Sequence, residues 1–267
     1  MKSRVVLGAC LMMSTLAMAG EAAAQSGYPV RLVLRPQTLP ARGLRLDGEL
    51  RIAGISACAT FAGTTRCESA TATALHLGAG IGVLDQFEIG ANVLPLQLSP
   101  EFAYGNPSVY GRIQFLRGSD VQLAAQAQVV IPVRDGSKLG FSLGLPLWYN
   151  FTDLLQLQTG LFYSATLTDP VNQNLNIPLR LNFNLNDNVH IAGLTGVGFN
   201  LDAPGNSLAI PLGIEGGYAL AGINNRPVLD VVASFQFPTF LTPGSSGDVV
   251  NPDLWVASLA GRFYLFL

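Results

Sequence analysis

Residues 174–186 read NLNIPLRLNFNLN, and this run carries the clearest structural signal in the chain. Every second residue is large and apolar, from Leu175 to Leu185, and the residues between them are Asn except for Pro178 and Arg180. Side chains alternate between the two faces of an extended strand, so this period of two predicts one strand with an apolar face and a polar face. Strands of globular proteins have about five or six residues, whereas a tilted crossing of a bilayer takes about 9–11. The length of the run therefore favours a strand that crosses a membrane.

The same alternation recurs along the rest of the chain. Tight turns such as Gly118-Ser119-Asp120 alternate with longer loops rich in Gly, Pro, Ser and Asn, such as residues 54–69 and 242–252. Short turns at one end and longer loops at the other are typical of outer-membrane barrels. Backbone groups in hydrocarbon must all be paired, so the first and last strands must meet. The pattern predicts an all-β fold, a closed antiparallel up-and-down transmembrane β-barrel over residues 43–267. We expect its 12 strands at about residues 43–53, 70–83, 87–98, 107–117, 121–134, 138–151, 154–167, 174–186, 189–201, 207–221, 228–240 and 253–267.

The composition supports this interpretation. Of the 267 residues, 49% are apolar and only 12% are charged, whereas about 25% charged residues is usual for proteins with a water-facing surface. The 15 Lys and Arg residues do not outnumber the 17 Asp and Glu residues, which argues against a nucleic-acid partner. Beyond about the first 20 residues, the sequence has no run of ~18 uninterrupted apolar residues, which argues against a helical membrane protein.

The N-terminus has the layout of a secretory signal peptide. Lys2 and Arg4 precede an apolar stretch over residues 5–19, and small residues follow it. We predict a signal peptide at residues 1–24, cleaved after Ala19 or Ala24, and less favoured alternatives are an anchoring helix or lipidation at Cys10. Residues 25–42, in which Val30, Leu32 and Leu34 alternate with Arg31 and Arg35, are expected to form a periplasmic arm or a partial plug of the barrel.

Two further cysteines, Cys58 and Cys67, are separated by eight residues. Export would place them in an oxidising compartment, where such a pair favours a disulfide over a metal or redox site. The alternative is two unpaired small residues.

The end of the chain resembles the terminal strand of Gram-negative outer-membrane β-barrel proteins. Residues 253–267 alternate apolar and polar positions and end in an aromatic-rich stretch with Phe263, Tyr264 and Phe266, although Leu267 stands where Phe is usual. The resemblance implies an outer-membrane location, lipid as the outer partner, and the barrel-insertion machinery as a partner during biogenesis. It is specific for the barrel and not for a solute.

Aromatic residues are expected in two belts, one at each membrane interface. On the assigned strand directions, the periplasmic belt contains Phe87, Trp148, Tyr149, Phe151, Phe263 and Tyr264. The outer belt contains Phe162, Tyr163, Phe199, Phe235, Phe237 and Trp255.

The polar face of each strand becomes the lining of the lumen. The predicted pore-lining residues are Arg112, Arg180, Glu49, Glu215, His76, Arg51, Asp230 and Arg262. Four of them are predicted near mid-height of the barrel, where their fixed charges would form a constriction that selects solutes. These four are Arg112, Arg180, Glu49 and Glu215. The alternative is that arginines and carboxylates pair across the lumen and only satisfy each other.

These features predict a passive channel or facilitator for small solutes. The alternative function is a structural or adhesive barrel without a conducting pore, and a barrel hydrolase is less favoured. The chain has two histidines, His76 and His190, on different predicted strands and outside any recognisable catalytic motif. We therefore predict no enzymatic activity, no catalytic residues, no cofactor and no metal site.

Overall fold

The structure, a computed structural model, describes residues 28–61, 64–203, 207–242, 250 and 252–267, and the side chains of residues 57–67 and 223 are outside that description. The predicted signal peptide lies outside the described residues. None of the described residues belongs to a helix that is long and apolar enough to cross a membrane.

Twelve long strands form one antiparallel sheet, together with a two-residue strand, β4, that pairs only with β3. The strands are β1 (Gly43–Phe61), β2 (Thr64–Leu84), β3 (Phe87–Ser99), β4 (Ala103–Tyr104), β5 (Ser108–Arg117), β6 (Val121–Val130), β7 (Gly140–Asn150), β8 (Leu155–Thr166), β9 (Asn172–Asn184), β10 (Val189–Asn200), β11 (Ile210–Ala221), β12 (Pro227–Leu241) and β13 (Leu254–Phe266). Short 3₁₀ turns occur at Leu32–Leu34 and Ile223–Asn225.

The sheet closes on itself because β1 pairs with β13 as well as with β2. This seam runs from Gly43 opposite Phe266 to Ile55 opposite Leu254. The predicted fold, a closed antiparallel barrel of twelve strands, is confirmed. We call the end with the five short turns, where β1 starts and β13 ends, the turn end, and the opposite end the loop end.

The barrel is apolar outside and polar inside. In β9, Leu181 and Phe183 are 47% and 40% exposed, whereas the neighbouring Asn182 and Asn184 are 0% and 1% exposed. A water-soluble protein shows the opposite arrangement, because apolar burial drives its folding. The alternation in residues 174–186 therefore places its leucines on the outer surface and its asparagines in the lumen.

Residues 54–69 differ from the expectation of a loop. The backbone of β1 stays paired with β2 from Leu44 opposite Ile81 to Phe61 opposite Thr64. Because the β13 pairing of β1 ends at Ile55, the far part of this hairpin is a two-stranded ribbon that extends beyond the seam. Ile55 and the three Thr residues there favour strands, and the backbone ladder continues through Gly54.

The aromatic belts are partly wrong. Tyr149, Phe151 and Phe263 are exposed on the outer surface near the turn end. Trp148 lines the lumen, and the Tyr264 hydroxyl hydrogen-bonds inside it. Both residues occupy polar-face positions of their strands, so the period of two points them inward despite their aromatic rings.

Candidate functional site

Residues 28–42, which we call the inner segment, cross the lumen near the turn end. Val33, Arg35, Gln37, Thr38 and Leu39 are each at most 3% exposed. Hydrogen bonds that involve a side chain join the segment to eight strands, namely β3, β5, β6, β7, β8, β9, β12 and β13. It therefore lies inside the barrel and contacts most of its circumference.

The first anchor of the inner segment is Arg35. Its guanidinium donates two hydrogen bonds to the Asp230 carboxylate, at 2.5 and 3.0 Å, and one to the backbone oxygen of Val30 at 2.6 Å. The Tyr264 hydroxyl donates to Asp230 at 2.8 Å. The Arg35 guanidinium also lies 5.6 and 5.5 Å from the ring centroids of Tyr28 and Tyr264. Burial is the largest single influence and lowers the pKa of Arg35. The hydrogen bond with Asp230 and the electrostatic interactions with Tyr28, Tyr264 and Asp230 together outweigh burial, so the pKa is raised and the guanidinium stays charged.

The second anchor is Glu88, whose side chain is 1% exposed. One carboxylate oxygen accepts the Leu39 backbone N–H at 2.9 Å, and the other accepts the Tyr110 hydroxyl at 2.6 Å. The Arg45 guanidinium lies 3.4 Å from the same carboxylate. Glu88, on β3, thus holds the last part of the inner segment, whereas Asp230, on β12, holds an earlier part of it.

Between the anchors, amide side chains satisfy the backbone of the inner segment. Gln122 accepts the Gln37 N–H at 3.1 Å and donates to the Arg35 backbone oxygen at 3.2 Å. Gln156 donates to the Val33 oxygen at 2.9 Å, and Val33 N–H donates to Asn184 at 3.2 Å. A buried chain outside the sheet needs such partners, because unpaired backbone groups are costly. The Gln and Asn residues on the inward faces of β6, β8 and β9 supply them.

The inner segment separates two cavities. The larger one, about 750 Å³, extends from the segment toward the loop end and is lined by inward-facing strand residues. The smaller one, about 670 Å³, is bordered by turn-end residues that include Asp85, Asp120 and Asp153. Tyr28 and Pro36 border both cavities, so the segment is the partition between them.

The larger cavity, which we call the lumen cavity, brings together seven of the eight predicted pore-lining residues. They are Arg112, Arg180, Glu49, Glu215, His76, Arg51 and Arg262. The exception is Asp230, which is 2% exposed because Arg35 and Tyr264 cover it.

Charged pairs in the lumen cavity run along the wall between neighbouring positions. Arg180 pairs with Glu215, which lies two strands away across β10. Glu49 pairs with Arg51 on the same strand at 3.1 Å. Arg112 has no carboxylate partner among the described residues; it donates to Gln126 at 2.6 and 3.0 Å and to the Gln37 backbone oxygen at 2.8 Å. Both ion pairs therefore join residues of the same strand or of strands two apart.

Exposure of the inward side chains rises toward the loop end. Along β1, the side chains of Arg45, Asp47, Glu49 and Arg51 are 20%, 33%, 29% and 44% exposed, so exposure is lowest nearest the turn end and highest farthest from it. Since β1 starts at the turn end, the lumen cavity becomes more accessible away from the inner segment.

The two histidines are each placed beside a polar neighbour. His76 Nδ1 lies 3.1 Å from the Asn92 amide nitrogen, and His190 Nε2 lies 3.5 Å from the Glu215 carboxylate. Within the described part of the chain, neither histidine contacts a hydroxyl or thiol nucleophile, and no three His, Cys, Asp or Glu residues are grouped to hold a metal ion.

The cysteine pair lies on the projecting ribbon. The backbone register places Cys58 directly opposite Cys67, while both side chains are outside the described part of the structure. The predicted disulfide therefore stays a prediction.

Sequence reasoning missed the residues that hold the inner segment. Asp230 was predicted to line the lumen, but nothing in the sequence indicates that it binds Arg35 or that Glu88 binds Leu39. Two signals were available. The alternation in residues 25–42 is the basis for expecting an arm or a partial plug, and the inward positions of β6, β8 and β9 are rich in Gln and Asn, although a water-filled lumen does not require amides.

Comparison with solved structures addresses the fold. The NanC porin superimposes with a TM-score of 0.56 at 9% identity, covering 82% of this chain and 100% of that chain. The chain has the β-barrel fold of outer-membrane proteins. Other structures with this barrel fold are similar at lower scores, including the translocator domain of the autotransporter NalP from Neisseria meningitidis, with a TM-score of 0.48, 12% identity and coverage of 99% and 98%. The CymD monoaromatic hydrocarbon channel has a TM-score of 0.44, 10% identity and coverage of 85% and 90%. No family model and no curated protein matches the sequence of this barrel.

Proposed function

We propose that this chain is an outer-membrane channel that passes small hydrophilic solutes passively through its lumen. Its location follows from the outer surface, where leucines and other apolar residues face outward on every side of a closed sheet. Lipid would contact this surface, and the barrel-insertion machinery would recognise the terminal strand during biogenesis. In this orientation the turn end faces the periplasm.

The observation that carries the channel proposal is the lumen cavity of about 750 Å³. Its wall combines amides, hydroxyls and six arginines with three carboxylates. Such a wall exchanges hydrogen bonds with a hydrated solute, and its exposure increases toward the outer end. The cationic excess favours anions over cations inside the lumen.

The inner segment closes the periplasmic end in this state. Passage of a solute therefore requires the segment to shift or leave. Because it is held by hydrogen bonds and not by strand pairing, such a shift leaves the barrel sheet intact.

Planar-bilayer recording tests the channel proposal. Full-length mature protein should give small or intermittent conductance, and a variant lacking residues 29–40 should give larger, stable steps. Folding of both proteins is checked by the heat-dependent mobility of barrels on denaturing gels. A folded deletion variant that inserts into the bilayer and shows no steps would contradict the channel proposal.

The alternative function, a structural or adhesive barrel, is favoured by one observation. The ribbon formed by the far ends of β1 and β2 projects past the seam, where it could contact a partner outside the cell. Absent conductance combined with cell-surface attachment that disappears when residues 57–67 are replaced by a short turn would support this alternative.

A further inference from the structure

Arg262 is a charged side chain of the lumen cavity that lies between carboxylates on both neighbouring strands. It lies on the inward face of β13 and borders the lumen cavity. The register places it opposite Asp47 of β1 on one side and Asp230 of β12 on the other. Directly opposed residues of an antiparallel pair have Cβ atoms about 4.5–5.5 Å apart, close enough for an ion pair.

The two carboxylates directly opposite Arg262 are engaged by other arginines, and Glu215, whose charge also interacts with Arg262, pairs with Arg180. Asp47 accepts from Arg45 at 2.9 and 3.0 Å, and Asp230 accepts from Arg35 at 2.5 and 3.0 Å. Among the described residues, Arg262 has no hydrogen bond and no ion pair within 4.0 Å. Its five N–H donors are therefore available to the contents of the lumen cavity.

The inner segment causes this arrangement. Arg35 reaches Asp230 from inside the barrel and takes the carboxylate that would otherwise be the cross-strand partner of Arg262. Without the segment, Asp230 would be left buried and charged beside a free guanidinium, and the two would pair, since an uncompensated buried charge is costly.

We propose that Arg262 binds the oxyanion group of a small solute in the lumen cavity, and that docking of the inner segment creates this site by engaging Asp230 through Arg35. One unpaired guanidinium balances one negative charge. A planar guanidinium also matches a carboxylate in a bidentate geometry. The ligand class is therefore a small monocarboxylate, and the amides around the cavity suit one that carries hydroxyl groups.

Because docking of the inner segment and binding of a carboxylate to Arg262 are coupled, each must favour the other. A bound carboxylate keeps Arg262 from Asp230 and so stabilises the docked inner segment. Loss of the segment weakens the carboxylate site in the same proportion. This inference rests on the channel proposal only in assuming that the bound carboxylate is a transported solute. Binding itself is measurable without transport.

Calorimetric titration of the folded, detergent-solubilised protein with glucuronate tests the site. Glucose serves as the uncharged counterpart of the probe. We expect glucuronate to bind and glucose to bind at least tenfold more weakly. Arg262→Gln should weaken glucuronate binding roughly ten- to hundredfold, the range for loss of charge-assisted hydrogen bonds. The matched control is Arg134→Gln, at the loop end and outside the lumen cavity, which should leave binding unchanged.

A double variant tests the coupling. Arg35→Gln frees Asp230, which then pairs with Arg262, so glucuronate binding should weaken although Arg262 is intact. Arg35→Gln combined with Asp230→Asn removes that competitor and should restore most of the affinity. If Arg35 were itself the carboxylate ligand, the double variant would bind no better than the single one, and the coupling would be wrong.

The outcomes separate this inference from the channel proposal. Glucuronate binding lost in Arg262→Gln, together with a silent bilayer, would retain the site and overturn the channel. Conductance with no glucuronate binding, or with equal binding in the Arg262→Gln and wild-type proteins, would overturn the site and retain the channel.

Discussion

Arg35 and Asp230 are 195 residues apart in the chain, yet two hydrogen bonds of 2.5 and 3.0 Å join them in the interior of the barrel. Both side chains are almost fully buried, at 3% and 2% exposure. Burying two charges is favourable only with good geometry and additional hydrogen bonds, which Tyr264 and the Val30 and Pro29 carbonyls provide here. The pair is therefore the point at which the inner segment and the barrel wall depend most strongly on each other.

Breaking this pair should release the first part of the inner segment. Arg35→Gln leaves Asp230 buried without its cation, a loss for which about 3–5 kcal/mol is typical. The Val33 amide is buried and hydrogen-bonded to Asn184 while the segment is docked, so its hydrogen exchange should become much faster. The control is Arg31→Gln, whose partner Asp187 is 61% exposed, and such surface pairs contribute about 0–1 kcal/mol. Equal exchange in both variants would contradict the role of Arg35.

The Glu88 anchor should act locally on the other part of the segment. Glu88→Ala removes the acceptor of the Leu39 N–H, and an unsatisfied buried donor costs about 1–3 kcal/mol. The Leu39 amide should exchange faster, while the Val33 amide, held by Asn184, should change less. Asn184→Ala should show the reverse order. If both amides respond equally to each variant, the segment undocks as one unit and the two anchors are not independent.

The mid-height arginines should set the charge preference of the channel. Replacing Arg112 and Arg180 together by Gln removes two positive charges from the lumen cavity and should shift ion selectivity toward cations. The reversal potential in a salt gradient across a planar bilayer measures this shift. Arg134→Gln is the control outside the cavity. An unchanged reversal potential would show that these residues serve only their neighbours on the wall.

Cys58 and Cys67 should form a disulfide in the exported protein. Their opposed backbone positions on the ribbon would close a short loop, and a disulfide of this kind stabilises by roughly 2–3 kcal/mol. Alkylation of denatured protein should modify neither residue before reduction and both after reduction, as read by mass spectrometry of the peptides. Alkylation of both without reductant would show two free thiols.

The outer surface should tolerate charge only near its edges. Leu145, in the middle of β7, is 50% exposed, and Leu139, just before that strand, is 41% exposed. Arginine at the middle of a barrel wall costs about 2–4 kcal/mol in a bilayer and about 0–1 kcal/mol near the interface. Leu145→Arg should thus lower the free energy of unfolding in lipid vesicles, and Leu139→Arg should change it little. Equal stability of the two variants would argue against lipid on this face.

Alternation along the chain was enough to establish the barrel. Alternation is a local property, because the side of the strand on which one residue lies fixes the side of the next. Residues 174–186 and the eleven other alternating stretches were therefore sufficient to predict the strand number, the antiparallel order and the inward residues. Alternation does not fix where a strand ends, and residues 54–69 show why. Strand-forming Thr and loop-forming Gly and Ser occur together there, and only the backbone partner across the hairpin distinguishes a ribbon from a loop.

What fills the barrel and which charges meet follow from contacts between distant parts of the chain. The alternation in residues 28–42 is short, and the position of this segment depends on partners from most strands of the barrel, which come together only when the sheet closes. Arg35 pairs with Asp230 and Arg262 stays unpaired because of the strand register and the distances across the lumen. Those are properties of the closed cylinder, because residues far apart in sequence become neighbours only after β1 meets β13.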